Sequence, residues 1–339
     1  MKKLHVIAGG ISCACILASG SAAWAEEDER ASYEIELEIG VDSVVKSDVA
    51  ANELTNVYGT AEVTLSYALT DRVSAFGGLM LENVTGITGN RAFEDMGLYV
   101  AELGLSFDLG KAEVSIGKIH PAFGYVWDAA PGFYGTSYAE DYELAEMLGA
   151  MVAFELGQGT LTAAAFYADN TALSESLGTN RGRNSTAAGG AGNTGKLNNI
   201  ALQYDAEFGA TTFHAGARYL TAGIGDAKDE TGFSLGISQA INDNVELVAE
   251  VAHFTGWGGS TDDASYGTLG LSYNQGPITY SATVQHREIT STGTDNLFTL
   301  GLDYEFANGN TLTAGYGFAK EGGVASQMLG VAMVIPIGG

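Results

Sequence analysis

Five acids crowd the stretch between Lys118 and Met147 (Asp128, Glu140, Asp141, Glu143 and Glu146), among large aromatics that include Trp127, Phe133, Tyr134, Tyr138 and Tyr142. Clustered carboxylates attract cations. Asp128, Glu140 and Asp141 are hard oxygen donors of the kind calcium takes, but no calcium-loop spacing joins them, so no metal site is expected. The histidines are His5, His120, His214, His253 and His286. None has a convincing serine partner of the sort nucleophilic hydrolysis requires. Both cysteines, Cys13 and Cys15, fall in the N-terminal leader, which leaves no thiol for catalysis. These residue types point to electrostatic work on passing cations; no enzyme activity and no cofactor are expected.

The leader runs from Met1 to Ala25. Lys2 and Lys3 precede an apolar run, and Ala23-Trp24-Ala25 is a small-x-small cleavage site, so residues 1–25 are expected to be a secretory signal. The remaining domain is 26–339. The full chain carries 41 acids against 15 bases; without the two leader lysines the balance is 41 to 13, a net charge of −28. Such a charge excludes nucleic acid as a partner and creates a field that draws cations. Forty-seven glycines and only four prolines suit strands and tight turns better than packed helices.

Stepping outward from the acidic stretch, the flanking segments alternate with period two. In 33–39, Tyr33, Ile35, Leu37 and Ile39 share one face, and Glu34, Glu36 and Glu38 the other. The pattern recurs in seven pairs: 56–68 with 72–83, 97–108 with 111–118, 148–156 with 159–169, 197–208 with 211–221, 231–241 with 244–255, 265–274 with 278–289, and 296–306 with 311–320. A last segment, 327–337, brings the count to sixteen. Connections within a pair are short, and those between pairs (40–55, 84–96, 119–147, 170–196, 222–230, 256–264, 290–295 and 321–326) are longer. A strict alternation of short and long connections predicts hairpins with tight turns at one end and loops at the other.

No amphipathic helix follows residue 25 to cover the apolar faces, so lipid is the expected cover. In lipid every backbone polar group must be paired, which forces the sheet to close. The fold expected is all-β: a sixteen-stranded antiparallel transmembrane β-barrel. Aromatics beside the short turns (Tyr67, Phe107, Tyr204, Phe208, Phe213, Tyr273, Tyr280, Tyr304 and Phe306) fit an interfacial girdle. The opposite faces carry Glu62, Glu102, Glu250, Arg218 and Arg287 among many Ser, Thr and Gly. Charges this dense do not fit a dry core, whereas a barrel of this size holds water. The loop 170–196, with Arg181 and Arg183, is expected to be mobile and exposed.

In this rhythm, and locally at Tyr58-Gly-Thr-Ala-Glu62 and Ile116-Gly-Lys-Ile-His-Pro-Ala-Phe-Gly124, the chain resembles the sixteen-stranded general porins of Gram-negative bacteria. The resemblance implies an outer-membrane channel, commonly a homotrimer, whose third external loop folds inward and narrows the lumen. The acidic-aromatic stretch lies between the fifth and sixth segments, where that loop belongs. Its acids fit either a solvated surface or a constriction, and its place in the chain favours the constriction. Asp128, Glu140, Asp141, Glu143 and Glu146 are then the constriction residues, and Glu62, Glu102, Arg218, Glu250 and Arg287 the pore wall. In the family, loop acids face a ladder of bases; here Arg218 and Arg287 have the inward phase, while Arg72 and Lys111 sit beside short turns. The usual C-terminal aromatic is replaced by Ile337-Gly338-Gly339.

The expected function is passive diffusion of small hydrophilic solutes and inorganic ions, with cations preferred. Outer-membrane lipid is the expected surround. Two alternatives stand beside it: a solute-selective channel, for example for sugars stacking on Trp127, Phe133, Tyr134 and Tyr138, or a surface or structural barrel that transports nothing.

Overall fold

The computed structural model describes residues 30–338, so the expected signal segment, 1–25, lies outside the described residues. The strands among the described residues form a single sheet of eighteen hydrogen-bonded segments, two of which, Arg91–Ala92 and Leu177–Gly178, are two-residue bridges from loops. The other sixteen form the wall. They are β1 Ala31–Ser47, β2 Thr55–Thr70, β3 Val73–Asn83 and β4 Met96–Asp108. Next come β5 Ala112–Ile119, β6 Met147–Leu156, β7 Gly159–Ala168 and β8 Asn199–Phe208. Then follow β9 Thr211–Leu220, β10 Glu230–Asn242, β11 Val245–Thr255 and β12 Asp263–Gln275. The last four are β13 Ile278–Ile289, β14 Gly293–Glu305, β15 Thr311–Glu321 and β16 Val324–Gly338.

Each wall strand pairs antiparallel with its neighbours in sequence. The ring closes because β1 pairs on one side with β2 (Leu37 opposite Ala61) and on the other with β16 (Leu37 opposite Ile335). Closure removes the two free edges an open sheet would leave. The alternation is inverted relative to a water-soluble protein. On β13, Val284 is 51% exposed while its neighbours Thr283 and Gln285 are 0% exposed. Apolar side chains outside and polar ones inside are stable when the outer solvent is hydrocarbon. The aromatics beside the short turns form outward pairs: Tyr273 stacks on Tyr280 across the β12–β13 hairpin, and Phe208 meets Phe213 edge-on across β8–β9.

Four features depart from the sequence expectations. First, β1 continues to Ser47 rather than ending at Ile39, because Val41 outward and Asp42 inward extend the same alternation, broken only by a bulge between Val44 and Lys46. Second, short and long connections do not alternate strictly. The β13–β14 and β15–β16 connections shrink to 290–292 and 322–323, since Arg287–Ile289 pairs with Gly293–Asp295 and Lys320–Glu321 with Val324–Ala325. The turn at the other end, 306–310, is longer than either.

Third, β4 carries an extra residue: Glu102 faces Gly78 and Val100 faces Leu79, leaving Ala101 between them. A bulge flips the phase beyond it. Tyr99, which an unbroken period of two would place outside with Leu103 and Leu105, therefore points inward and donates its hydroxyl to Glu82 at 2.6 Å. Fourth, the loop 169–198 is tied down. Its Leu177–Gly178 bridge pairs with β4, and buried Asn193 donates to the carbonyls of Ser185 and Gly189.

Candidate functional site

Residues 120–146 leave β5 and enter the barrel, where they run as a flattened hairpin along the inner wall. On the outward limb Gly124 donates its N–H to Gln203 on β8 at 3.2 Å, and Tyr125 donates its N–H to Glu250 on β11 at 2.8 Å. The Tyr125 ring lies flat on His214 of β9, with centroids 3.7 Å apart, and its hydroxyl donates to the Ile237 carbonyl. One helical turn, Val126–Ala129, follows. The Pro131 carbonyl then accepts from Thr283 on β13 at 2.8 Å. The tip reaches Tyr134, whose hydroxyl donates to Asp42 on β1 at 2.6 Å.

The chain then doubles back. Gln285 joins the two limbs, donating to the Tyr134 carbonyl at 2.8 Å and accepting the Tyr138 N–H at 2.7 Å. After a 3-10 turn at Ala139–Tyr142, the Tyr142 hydroxyl donates to Glu250 at 2.6 Å, and its carbonyl accepts from Arg218 at 2.6 Å. The loop thus bonds to inward polar side chains on β1, β8, β9, β11 and β13. A buried donor or acceptor left without a partner would cost ~1–3 kcal/mol each.

The wall makes room for the loop with glycine. A Cβ at Gly236 would stand 2.5 Å from the Tyr125 ring, at Gly270 2.5 Å from Pro131, at Gly315 2.5 Å from Phe133 Cβ, and at Gly330 2.2 Å from the Phe133 ring. These inward glycines are the signal, present in the strand pattern, that marks where the loop lands. Gly315→Ala is therefore expected to lower stability by ~1–3 kcal/mol, since no ring rotation moves the Cβ of Phe133. The control is Gly267→Ala, where a Cβ meets nothing within 4 Å. Heat-denaturation midpoints of the two variants in detergent should separate by several degrees; equal midpoints would mean the loop is not seated there.

The loop aromatics face that wall. Tyr134 and Tyr138 are 1% exposed and Trp127 is 9% exposed, while Phe133 is wedged against Gly315 and Gly330. They are the adhesive of the loop, so they do not form the open stacking track expected for a sugar.

The acids divide into two groups. Asp141 accepts from Arg287 at 2.7 Å and from Tyr266 at 3.1 Å, and Arg287 also binds Asp295 at 2.8 Å. Glu146 accepts from Lys118 at 2.7 Å and takes both ends of the Arg181 guanidinium, at 2.8 and 2.6 Å. Those two acids fasten the loop. The second group gathers around Glu143. Burial pushes its carboxyl up to about 7, and the charges of Glu140, Asp128, Glu62 and Glu146 push in the same direction. His120 Nδ1 stands 3.8 Å from it. Glu62, on β2, lies directly opposite Glu36 of β1, so acids stand on the wall as well as on the loop.

The remaining wall residues differ in position. Glu102 projects inward from β4 opposite Gly78. Arg218 and Glu250 are 5% and 3% exposed and lie behind the loop, where Arg218 pairs with Glu230 at 2.6 Å. Arg72 and Lys111 are exposed beside the short turns. Two bases that the sequence did not place in the pore, Lys118 and Arg181 (the latter expected on a mobile, exposed loop), instead meet the loop at its root. Among the described residues no group of three or more His, Cys, Asp or Glu is arranged to hold a metal ion, and Asp141 is turned away to Arg287.

No family model matches the chain, and no curated protein matches its sequence. Solved structures do match it. The outer membrane channel DcaP of Acinetobacter baumannii superposes with a TM-score of 0.67 at 11% identity, covering 93% of this chain and 100% of that one. A mutant of the Rh. blastica porin gives 0.60 at 16% identity, covering 91% and 100%. A loop-deletion form of OmpT, an outer membrane protein of Vibrio cholerae, gives 0.58 at 13% identity, covering 91% and 99%. The chain has the barrel fold of these porins.

Proposed function

We propose that the protein is a porin of a bacterial outer membrane: a water-filled passive channel for small hydrophilic solutes and ions, narrowed by residues 120–146 and selective for cations. The observation that carries the proposal is the charge balance at the neck. Arg218, Arg287, Lys118 and Arg181 each contact at least one acid, while Glu143 stands among like charges from both loop and wall. A neck of one sign concentrates counter-ions and repels co-ions. The channel character of the structural neighbours supports transport rather than catalysis. Homotrimeric assembly belongs to the same proposal, and the mass of the detergent-solubilised particle measures it.

Reconstitution provides the test. Stepwise conductance in planar bilayers and swelling of proteoliposomes in small neutral sugars are expected together. A barrel that neither conducts nor admits sugar is sealed, and the proposal fails.

The neck should also respond to pH. With its carboxyl near pH 7, Glu143 is charged above that value and neutral below it. Cation preference should therefore weaken as pH falls from about 8 to about 6, well above the range where an ordinary glutamate titrates. A reversal potential that stays flat across this interval would show that Glu143 does not face the permeating ions.

A further inference from the structure

Resting on the channel assignment above, we infer that Arg181, carried by the neighbouring external loop, is the residue that fixes the exit of the constriction loop and offsets the neck's negative charge. Residue 146 is the hinge. It is the last residue before β6, and its backbone is left-handed at φ 55°, although it is a glutamate. Such a conformation persists only where the surroundings over-determine it. Here they do: Arg181 grips the carboxylate with a two-pronged fork, Lys118 donates from the start of the loop, and the Glu146 carbonyl accepts the N–H of Asp169 at 3.1 Å. Lys118 is wholly buried, so Arg181 is the more accessible of the two bases.

Arg181 is itself held from four sides. Its guanidinium lies 3.7 Å from the centroid of Tyr99, the residue the β4 bulge turns inward. Its Nε donates to the Ser174 carbonyl at 3.0 Å, and its N–H to Ser176 Oγ at 2.9 Å. The Leu177–Gly178 bridge fastens the same loop to β4. A planar, always-charged fork satisfies both demands, orienting the carboxylate and stacking on a ring, in a way lysine cannot.

Two variants separate fixing from charge. Arg181→Gln removes the charge and the fork; Arg181→Lys removes the fork and keeps the charge. At low salt, Arg181→Gln is expected to raise the cation-to-anion permeability ratio two- to fourfold, the effect of one unit charge about 10 Å away in water acting oppositely on the two ions. Its open-state current should also become noisier. Arg181→Lys should show the noise with near-wild-type selectivity. If Arg181→Gln conducts quietly with the wild-type reversal potential, or if the lysine variant matches the glutamine one in selectivity, the role assigned to Arg181 is wrong. A wild-type protein that conducts nothing removes the channel itself, and this role with it; a conducting wild type with an indifferent Arg181→Gln removes this role alone.

Discussion

Replacing together the four acids proposed to line the neck by their amides (Glu62→Gln, Asp128→Asn, Glu140→Gln and Glu143→Gln) is expected to lower the cation-to-anion permeability ratio by at least about tenfold at low salt. One unit charge about 10 Å from an ion in water is worth ~0.4 kcal/mol, so four acting together change the entry energy of each ion by ~1.7 kcal/mol, with opposite signs for cation and anion. Salt screens this strongly, since the Debye length is about 10 Å at 0.1 M and about 3 Å at 1 M. The variant should therefore match the wild type in conductance at high salt and diverge from it at low salt. Amides preserve shape, and the docking contacts of Tyr134, Gln285 and Tyr142 are untouched. Asp141 and Glu146 are left out because each holds bases that position the loop. A reversal potential unchanged at low salt would move the selectivity filter to another part of the lumen.

Arg218→Met is expected to cost ~3–5 kcal/mol, the usual penalty for leaving a buried charge without its partner. Glu230, 2% exposed, would lose the guanidinium that contacts it at 2.6 Å, and the Tyr142 carbonyl would lose its donor. The same guanidinium lies 4.5 Å from the centroid of Phe254 and 4.7 Å from that of Phe123, so packing behind the loop goes with it. Heat denaturation in detergent should show the loss as a markedly lower midpoint. The double variant Arg218→Met/Glu230→Leu should recover much of it, because removing both charges of a buried pair is far less harmful than removing one. If the single and double variants are equally unstable, packing rather than charge pairing is what Arg218 supplies.

The wall was legible because every strand separates two solvents. Val63 beside Glu62, or Val284 beside Gln285, records oil on one side and water on the other, and a period of two follows from strand geometry. What the pattern did not carry is whatever breaks the period. The extra residue at Ala101 leaves no trace in hydrophobicity, yet it turns Tyr99 into the lumen. Near the rim, Gly293 to Asp295 at the start of β14, Glu321 at the end of β15 and Ala325 and Ser326 at the start of β16 carry little apolar contrast, so they looked like loop while the backbone continued as strand.

The neck was half legible. Loop order placed the acids of 120–146 near the lumen, but a loop has no period to say which side faces inward. The wall decides it: glycines at 236, 270, 315 and 330 open spaces that only the loop's rings and Pro131 fill. The aromatics turn to the wall as a result. Arg181 was illegible for another reason. It lies in a Gly- and Asn-rich segment whose composition resembles a mobile tip, and the bridge to β4 together with its contacts to Tyr99, Ser174 and Ser176 brings it to Glu146.

The most direct test is the zero-current potential of the reconstituted wild-type protein under a potassium chloride gradient at low ionic strength and neutral pH. An acidic neck predicts a potential of the sign set by potassium diffusing down its gradient, shrinking as salt is raised. A potential of the opposite sign, set by chloride, would contradict it.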